Sequence, residues 1–413
     1  MRSERGLTLI EGKTIVCLAS GWDYHPTSKH HIMRMLAGTN DIVWVNWHAS
    51  RRPGVGLSDL RNIGSRLWQI GQGPRRVSES ISVVTPCQLP LPGSSGARRL
   101  NAWMVRRAIR KVLATLPPRP VQLWSFAPDV SDLVGAFDEE MVLYYCVDAF
   151  GEFPGYDREL IERRERELLS KSDLVITTSP PLYESKRRLH PNVHFVQHGV
   201  DYDRLSQAAH REFPTPADLA RLERPIIGFV GIIGEWVDLE LVAGLAKRRP
   251  EASIVLIGPE MTSRGPCAGL TNVHWLGPRD HRMLPDYLQC FDVGLIPFKQ
   301  VPLTHHANPI KLYEYLAAGV PTVCSTLPAV KASPGAVWLA DDADRMATGC
   351  DEALACNRPE DRLQRSRSMM TESWSDRLEQ ISRLIVEARS TRRIEDRIEA
   401  SPTSRDWAAS QSA

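Results

Sequence analysis

No stretch of this 413-residue sequence approaches the roughly 18 consecutive apolar residues that a membrane-spanning helix needs. The start, MRSERGLTLIEGKT, lacks the apolar run of a signal peptide, so a cytoplasmic location is expected. Cys-x-x-Cys pairs are also missing. The eight cysteines (Cys17, Cys87, Cys146, Cys267, Cys290, Cys324, Cys350, Cys356) are scattered, several inside apolar runs. That spacing points away from zinc and redox chemistry and towards buried, reduced thiols. The net charge is only +2, but the first third is locally basic, with Arg51, Arg52, Arg61, Arg66, Arg75, Arg76, Arg98, Arg99, Arg106, Arg107, Arg110 and Lys111. No nucleic-acid-binding motif accompanies this charge, so no nucleic-acid partner is expected.

What is present is a repeating alternation. Short runs rich in β-branched residues, TIVCLAS, DIVWVNW, SISVVTP, VQLWSFA, MVLYYCV, LVITTS and VHFVQHGV, are separated by helix-like segments. A second series follows the polar, proline-containing stretch 206–225: IIGFVGII, ASIVLIG, NVHWLG, DVGLIPF, PTVCST and AVWLA. Apolar strands alternating with amphipathic helices give parallel sheets covered on both faces, and two series imply two doubly wound α/β domains. Their ligands belong at the carboxyl ends of the strands, in the cleft between the domains.

The segment HHANPIKLYEYLAAGVPTVCST is the sharpest local signal. Asn308 suits a helix cap, Pro309 the first turn, IKLYEYLAA the helix and Gly319 its end. The helix start offers free N–H groups and the positive end of a dipole, which would stabilise a phosphate. Lys311 and Glu314 share a face, as a diphosphate attached to a ribose would require, or as an ordinary exposed ion pair would.

NPIKLYEYLAAGVPTV resembles the donor-site signature of GT-B glycosyltransferases, particularly the family 4-like enzymes that build bacterial surface polysaccharides, including the xanthan glucuronosyltransferase type. SDLVITTSPPLYESKR, NVHFVQHGVD, PIIGFVGIIGEWVDLELV, NVHWLGPRDHRMLPDYLQCFDVGLIPF and the Trp374 region follow in the family's order. The resemblance implies two Rossmann-like domains facing across a cleft: an acceptor-binding domain over 1–205 and a nucleotide-sugar domain over 206–374. A helix over 375–390 would cross back to the first domain, and a frayed or disordered tail would occupy 391–413. It implies transfer of a sugar from a nucleotide diphosphate donor, a UDP-sugar by preference, to a glycan or lipid-diphosphate-linked acceptor in surface or exopolysaccharide synthesis, without a metal or other cofactor. A nucleotide-sugar 2-epimerase and a catalytically silent nucleotide-sugar-binding subunit are the alternatives.

By the same resemblance Glu314 binds the ribose and Lys311 faces the diphosphate, beside Asn308 and Pro309. In the loop GFVGIIGEW, Gly231, Gly234 and Glu235 face donor phosphates or sugar, although a tight turn explains the glycines equally well. Relatives commonly carry Arg and Lys near this loop. Here Glu235 and Trp236 stand instead, which shifts phosphate neutralisation to Lys311, with Lys299 or His305 in support. Arg279 in WLGPRD falls where the base packs, or in a plain turn. Many retaining relatives have a Glu eight residues before the ribose-binding Glu; this chain has His306. Two acidic strings, DYD at 201–203 and DDAD at 341–344, are expected to be linker and helix cap rather than metal sites.

Transfer needs a base for the acceptor hydroxyl. Asp148, in YYCVDAFGEFPG, ends an apolar strand at the cleft edge and occupies a place comparable to the base proposed in the xanthan glucuronosyltransferase; a cap or ion pair is the other reading. The loop GWDYHPTSKHH, after the first strand, presents Asp23, His25 and Lys29, with Asp23 or His25 as reserve base. Its histidines are badly spaced for a metal, because His30 and His31 diverge by about 100° on a helix. Trp22 or Tyr24 could stack on sugar or be core. Finally, LNAWMVRRAIRKVLATLP, with Trp103, Met104, Val105, Ile109, Val112 and Leu113 among its cations, reads either as a helix drawn to anionic lipid at the inner membrane face or as a surface helix packed on the first sheet.

Overall fold

The computed structural model describes residues 10–47, 73–91, 93–210 and 213–399. Arg51, Arg52, Arg61 and Arg66 of the basic stretch and residues 400–413 of the tail lie outside them.

Each apolar run noted in the sequence is a strand. The first series forms β1 (Thr14–Ala19), β2 (Asp41–Asn46), β4 (Ile81–Val84), β5 (Val121–Ser125), β6 (Met141–Cys146), β7 (Leu174–Thr177) and β8 (Val193–Phe195), with β3 (Arg75–Ser78) added at the edge. Their order is β3-β4-β2-β1-β5-β6-β7-β8. All neighbours are parallel except β3 and β4. The second series forms β9 (Ile226–Val230), β10 (Ser253–Ile257), β11 (Val273–Gly277), β12 (Val293–Ile296), β13 (Thr322–Cys324) and β14 (Val337–Leu339), all parallel in the order β11-β10-β9-β12-β13-β14.

In each sheet the chain turns back on itself beside its first parallel strand: β1 lies between β2 and β5, and β9 between β10 and β12. Crevices open at such switch points, beyond the strands' carboxyl ends. The loops that leave β1 and β9 there are GWDYHPTSKHH and GIIGEW.

The helices used below are α1 (Ser28–Leu36), α2 (Ser95–Leu113), α3 (Arg158–Leu169), α4 (Leu239–Arg248), α5 (Ile310–Ala317), α6 (Ala343–Ala355) and α7 (Trp374–Glu399). Trp374, Leu378, Ile381 and Ile385 recur at helical spacing on α7 and are buried with Ile15, Cys17, Trp44 and Leu143. The last helix thus follows the second sheet in sequence yet completes the core of the first. Truncating one such buried aliphatic side chain to alanine costs about 2–5 kcal/mol. The helix runs on to Glu399, which corrects the tail expected from 391: TRRIEDRIE holds no glycine or proline and is rich in helix-forming Arg and Glu.

On α2, Ala102, Val105, Ile109 and Val112 are buried with Val16, Val43 and Leu123. Val105, Ile109 and Val112 are therefore core, a correction to their reading as lipid-facing. Arg106 and Arg110 donate to the carbonyls of Asp132 and Ala136. What remains outside is a narrower face, with Leu100 44% and Trp103 58% exposed beside exposed Arg99, Arg107 and Lys111. Among the described residues no helix is long and apolar enough to cross a membrane. Cys17, Cys146, Cys267, Cys290, Cys324 and Cys350 are buried free thiols, Cys356 is half-buried, and Cys87 alone among the eight is exposed.

Candidate active site

The C-terminal side of the cleft is built around α5. Asn308 does not cap it: Pro309 occupies the cap position, and the Asn308 amide reaches across the cleft to donate to the Thr178 carbonyl at 2.8 Å and to Tyr313 Oη at 3.1 Å. The neighbouring Ser179 hydroxyl donates to the carbonyl of His306 at 2.7 Å. The entry to α5 is thereby tied to the N-terminal domain, which is a stronger use of Asn308 than a local cap.

From the first turn of α5, Lys311 runs back over the loop that leaves β9. Its Nζ sits 5.6 Å and 6.0 Å from the centroids of the Phe229 and Phe298 rings. Gly231 makes this path open, since a Cβ there would lie 2.1 Å from Lys311 Cε, and its φ of +150° also favours glycine. Burial lowers the Lys311 pKa, while Glu314, one turn on, pulls it back up. Glu314 is shifted the opposite way: burial raises its pKa, Lys311 lowers it, and Asp201 raises it further. Asp201, in the DYD string read as linker, is thus in the field of Glu314, while DDAD is a cap, with Asp342 accepting from the Arg345 N–H at 2.8 Å.

Gly234 leaves room for the Trp236 ring, and Glu235 is exposed beside it. Lys299 and His305 are exposed, whereas Lys311 is half-buried. Arg279 departs from the expected contact with a base. Its guanidinium donates to Asp218 at 2.7 Å and to Tyr287 Oη at 2.8 Å, a pairing with a residue 61 positions earlier that local sequence does not announce.

On the N-terminal side Asp148 lies just past β6. Burial pushes its pKa up to about 6, opposed by the ammonium of Lys29 on α1. Asp23 stands apart: it is exposed, with both carboxylate oxygens held by Arg75 Nη2 at 2.7 Å and 2.8 Å, so it is already neutralised outside the crevice. His25 crosses the cleft, its ring 4.8 Å from that of His281 and within the electrostatic reach of Lys311. Of the loop's other two histidines only His31 comes near it, its ring 6.2 Å from that of His281. His30 is buried between Trp22 and Trp44, and His31 stacks on Trp374 at 5.3 Å and 9°. Burial lowers their pKa values to about 3 and about 4. Trp22 is core, and Tyr24 is 59% exposed. Among the described residues no group of three or more His, Cys, Asp or Glu could hold a metal ion.

The interactions form one chain across the cleft: Asp148 with Lys29, the loop bearing His25, His25 with Lys311, Lys311 with Glu314, and Glu314 with Asp201. The N-terminal side thus offers a carboxyl whose pKa burial raises, and the C-terminal side a cation on the first turn of a helix. Such an arrangement can take a proton at one end and steady a leaving anion at the other.

Residues 224–356 match the family described as glycosyl transferases group 1. The whole fold is similar to sucrose-phosphate synthase from Thermosynechococcus elongatus, with a TM-score of 0.64 at 15% identity, covering 92% of this chain and 100% of that one. The chain has the GT-B fold, and its second half carries a domain that matches the glycosyl transferases group 1 model. The enzyme is also similar to the Anabaena protein Alr3699/HepE solved in complex with UDP and glucose, with a TM-score of 0.63 at 12% identity, covering 91% of this chain and 99% of that one. In sequence it is 28% identical over 280 residues to the putative teichuronic acid biosynthesis glycosyltransferase TuaH of Bacillus subtilis, which spans 63% of this chain and 70% of that protein.

The Asp148–Lys29 pair gives a direct titration. The Asp148 carboxyl, followed by ¹³C NMR, is expected to lose its proton near pH 6, and Lys29→Met, which removes the cation that favours the carboxylate, should move the midpoint upward. A midpoint unmoved or lowered in Lys29→Met would contradict the pairing.

Proposed function

We propose that the enzyme transfers a sugar from a UDP-sugar to a hydroxyl of a glycan or lipid-diphosphate-linked acceptor during assembly of a cell-surface polysaccharide. The observation that carries this reading is the placement of Lys311 and Glu314 on the first turns of α5, with the Lys311 side chain running over the Gly231 loop. The UDP and glucose in Alr3699/HepE, and the teichuronic acid role in the name of the Bacillus relative, support the donor class and the polysaccharide setting.

In this mechanism Glu314 accepts hydrogen bonds from the ribose hydroxyls, and the diphosphate lies between Lys311 and the free N–H groups at the start of α5. The acceptor oxygen forms the new bond to the anomeric carbon as the bond from that carbon to the diphosphate oxygen breaks, and Asp148 takes the hydroxyl proton. UDP departs with the bonding pair, its charge met by Lys311 and the helix dipole. Asp148 then returns its proton to water. His25 lies nearer the donor side and Asp23 is bound to Arg75, so neither is the base in this reading.

The acceptor reaches the enzyme at a membrane surface. Leu100 and Trp103, exposed on α2 among Arg99, Arg107 and Lys111, suit shallow insertion beside anionic headgroups. Vesicles containing phosphatidylglycerol should retain the wild-type protein in flotation, and Trp103→Ala with Arg107→Ala should release it. Equal retention of that variant, or of the wild type by purely zwitterionic vesicles, would contradict this contact.

For the site itself, Glu314→Ala should weaken UDP binding by about tenfold or more in calorimetry, the scale of a lost charge-assisted hydrogen bond. Asp148→Asn should bind UDP normally while kcat falls about 10²–10⁴-fold. Unchanged turnover in Asp148→Asn would remove it as the base. Conversion of UDP-N-acetylglucosamine to an epimer with no acceptor present would replace transfer by epimerisation.

A further inference from the structure

Beyond Asp148 the chain carries three aromatic residues, Phe150, Phe153 and Tyr156, in the sequence DAFGEFPGYD. All three are half-buried, and none belongs to a hydrophobic core cluster. Their rings nevertheless follow one another, with centroids 6.1 Å apart from Phe150 to Phe153 and 6.5 Å from Phe153 to Tyr156. The loop is held by other means. The Phe153 N–H donates to Phe150 and the Tyr156 N–H to Phe153, each at 3.3 Å; Glu152 pairs with Arg158 at 3.0 Å; and Asp157 caps α3 by accepting from the Leu160 N–H at 3.1 Å.

An ordered aromatic run that is not core has a surface to offer. Facing it from the other domain is Trp236, whose ring stands 6.4 Å from Phe153 at an interplanar angle of 85°. Trp236 is fixed as well. Its carbonyl accepts from the Lys299 N–H at 2.9 Å, and its ring lies where a Cβ on Gly234 would intrude at 2.6 Å. Two half-buried rings, one from each wall and nearly perpendicular, make a corner in the cleft a few residues from the carboxyl that receives the acceptor proton.

We propose that this corner is an acceptor subsite for a neutral pyranose ring, with the sugar's C–H face on Phe153 and its edge against Trp236. The proposal rests on the transfer reading above and adds the chemistry of the acceptor. Aromatic faces carry negative charge density that attracts C–H groups, and a pyranose presents a flat apolar face to them. The charges nearby select a neutral unit: Glu152 is already paired with Arg158, while exposed Glu235 beside Trp236 repels an anionic sugar.

The test is saturation-transfer NMR on the full chain with methyl β-glucoside, methyl β-galactoside, methyl β-N-acetylglucosaminide and, as anionic control, methyl β-glucuronide, each with and without UDP. Saturation is expected on the ring protons of at least one neutral glycoside and not on the glucuronide. Phe153→Ala and Trp236→Ala should each weaken it about two- to tenfold, and Phe153→Tyr and Trp236→Phe should restore it, which separates contact from misfolding. Saturation undiminished in both alanine variants, absent from every neutral glycoside, or confined to the glucuronide would overturn the subsite. Glu314→Ala, read in the same samples without UDP, should keep the signal. A failure of UDP to bind the wild type would sink the donor reading and leave this result standing.

Discussion

A desolvated cation organises this molecule. Lys311 lies against two phenylalanine rings, over a glycine that has no side chain to obstruct it, and its nearest carboxylate, Glu314, is itself raised in pKa by burial and by Asp201. An ammonium that burial disfavours is relieved by an anion placed beside it. The pull is towards phosphate in particular, because Lys311 sits on the first turn of a helix whose free N–H groups point the same way. In the proposed mechanism it is the diphosphate of the donor that meets this charge.

The fold sets α5 and the loop after β6 in two domains that are tied together. Both sheets open their crevices at the switch points beside β1 and β9, and α7 returns to the first domain to bury Trp374, Leu378, Ile381 and Ile385 there. The crossing is braced where the chain passes twice. Gln197 donates to Glu372 at 2.6 Å, Val200 pairs with Ser373, and Asn308 and Ser179 join the start of α5 to the N-terminal domain. The start of α5 is thus tied directly to the N-terminal domain as well as to its own.

The sheets were legible because parallel strands buried on both faces must be continuously apolar. β3 escaped for the opposite reason: RRVS is an exposed antiparallel edge, and its arginines look like loop. Local chemistry was readable where it depended on neighbours in sequence, as with Lys311, Glu314, the end of β6 at Asp148 and the Asp342 cap. It was unreadable where a partner comes from afar. Nothing in WLGPRD announces that Arg279 belongs to Asp218, nothing in ANPIK that Asn308 reaches Thr178, and nothing near the strings themselves that Phe153 meets Trp236 or Asp23 meets Arg75. On α2 the periodicity was legible but left two facings open, since an amphipathic helix looks the same whether its apolar stripe meets a sheet or a lipid, and the stripe meets the sheet.

The most direct test of the account is a crystal structure of the enzyme bound to UDP. Ribose hydroxyls hydrogen-bonded to Glu314, with the diphosphate between Lys311 and the N–H groups at the start of α5, is the result predicted. UDP seated elsewhere, or seated here with its diphosphate turned away from Lys311, would contradict it.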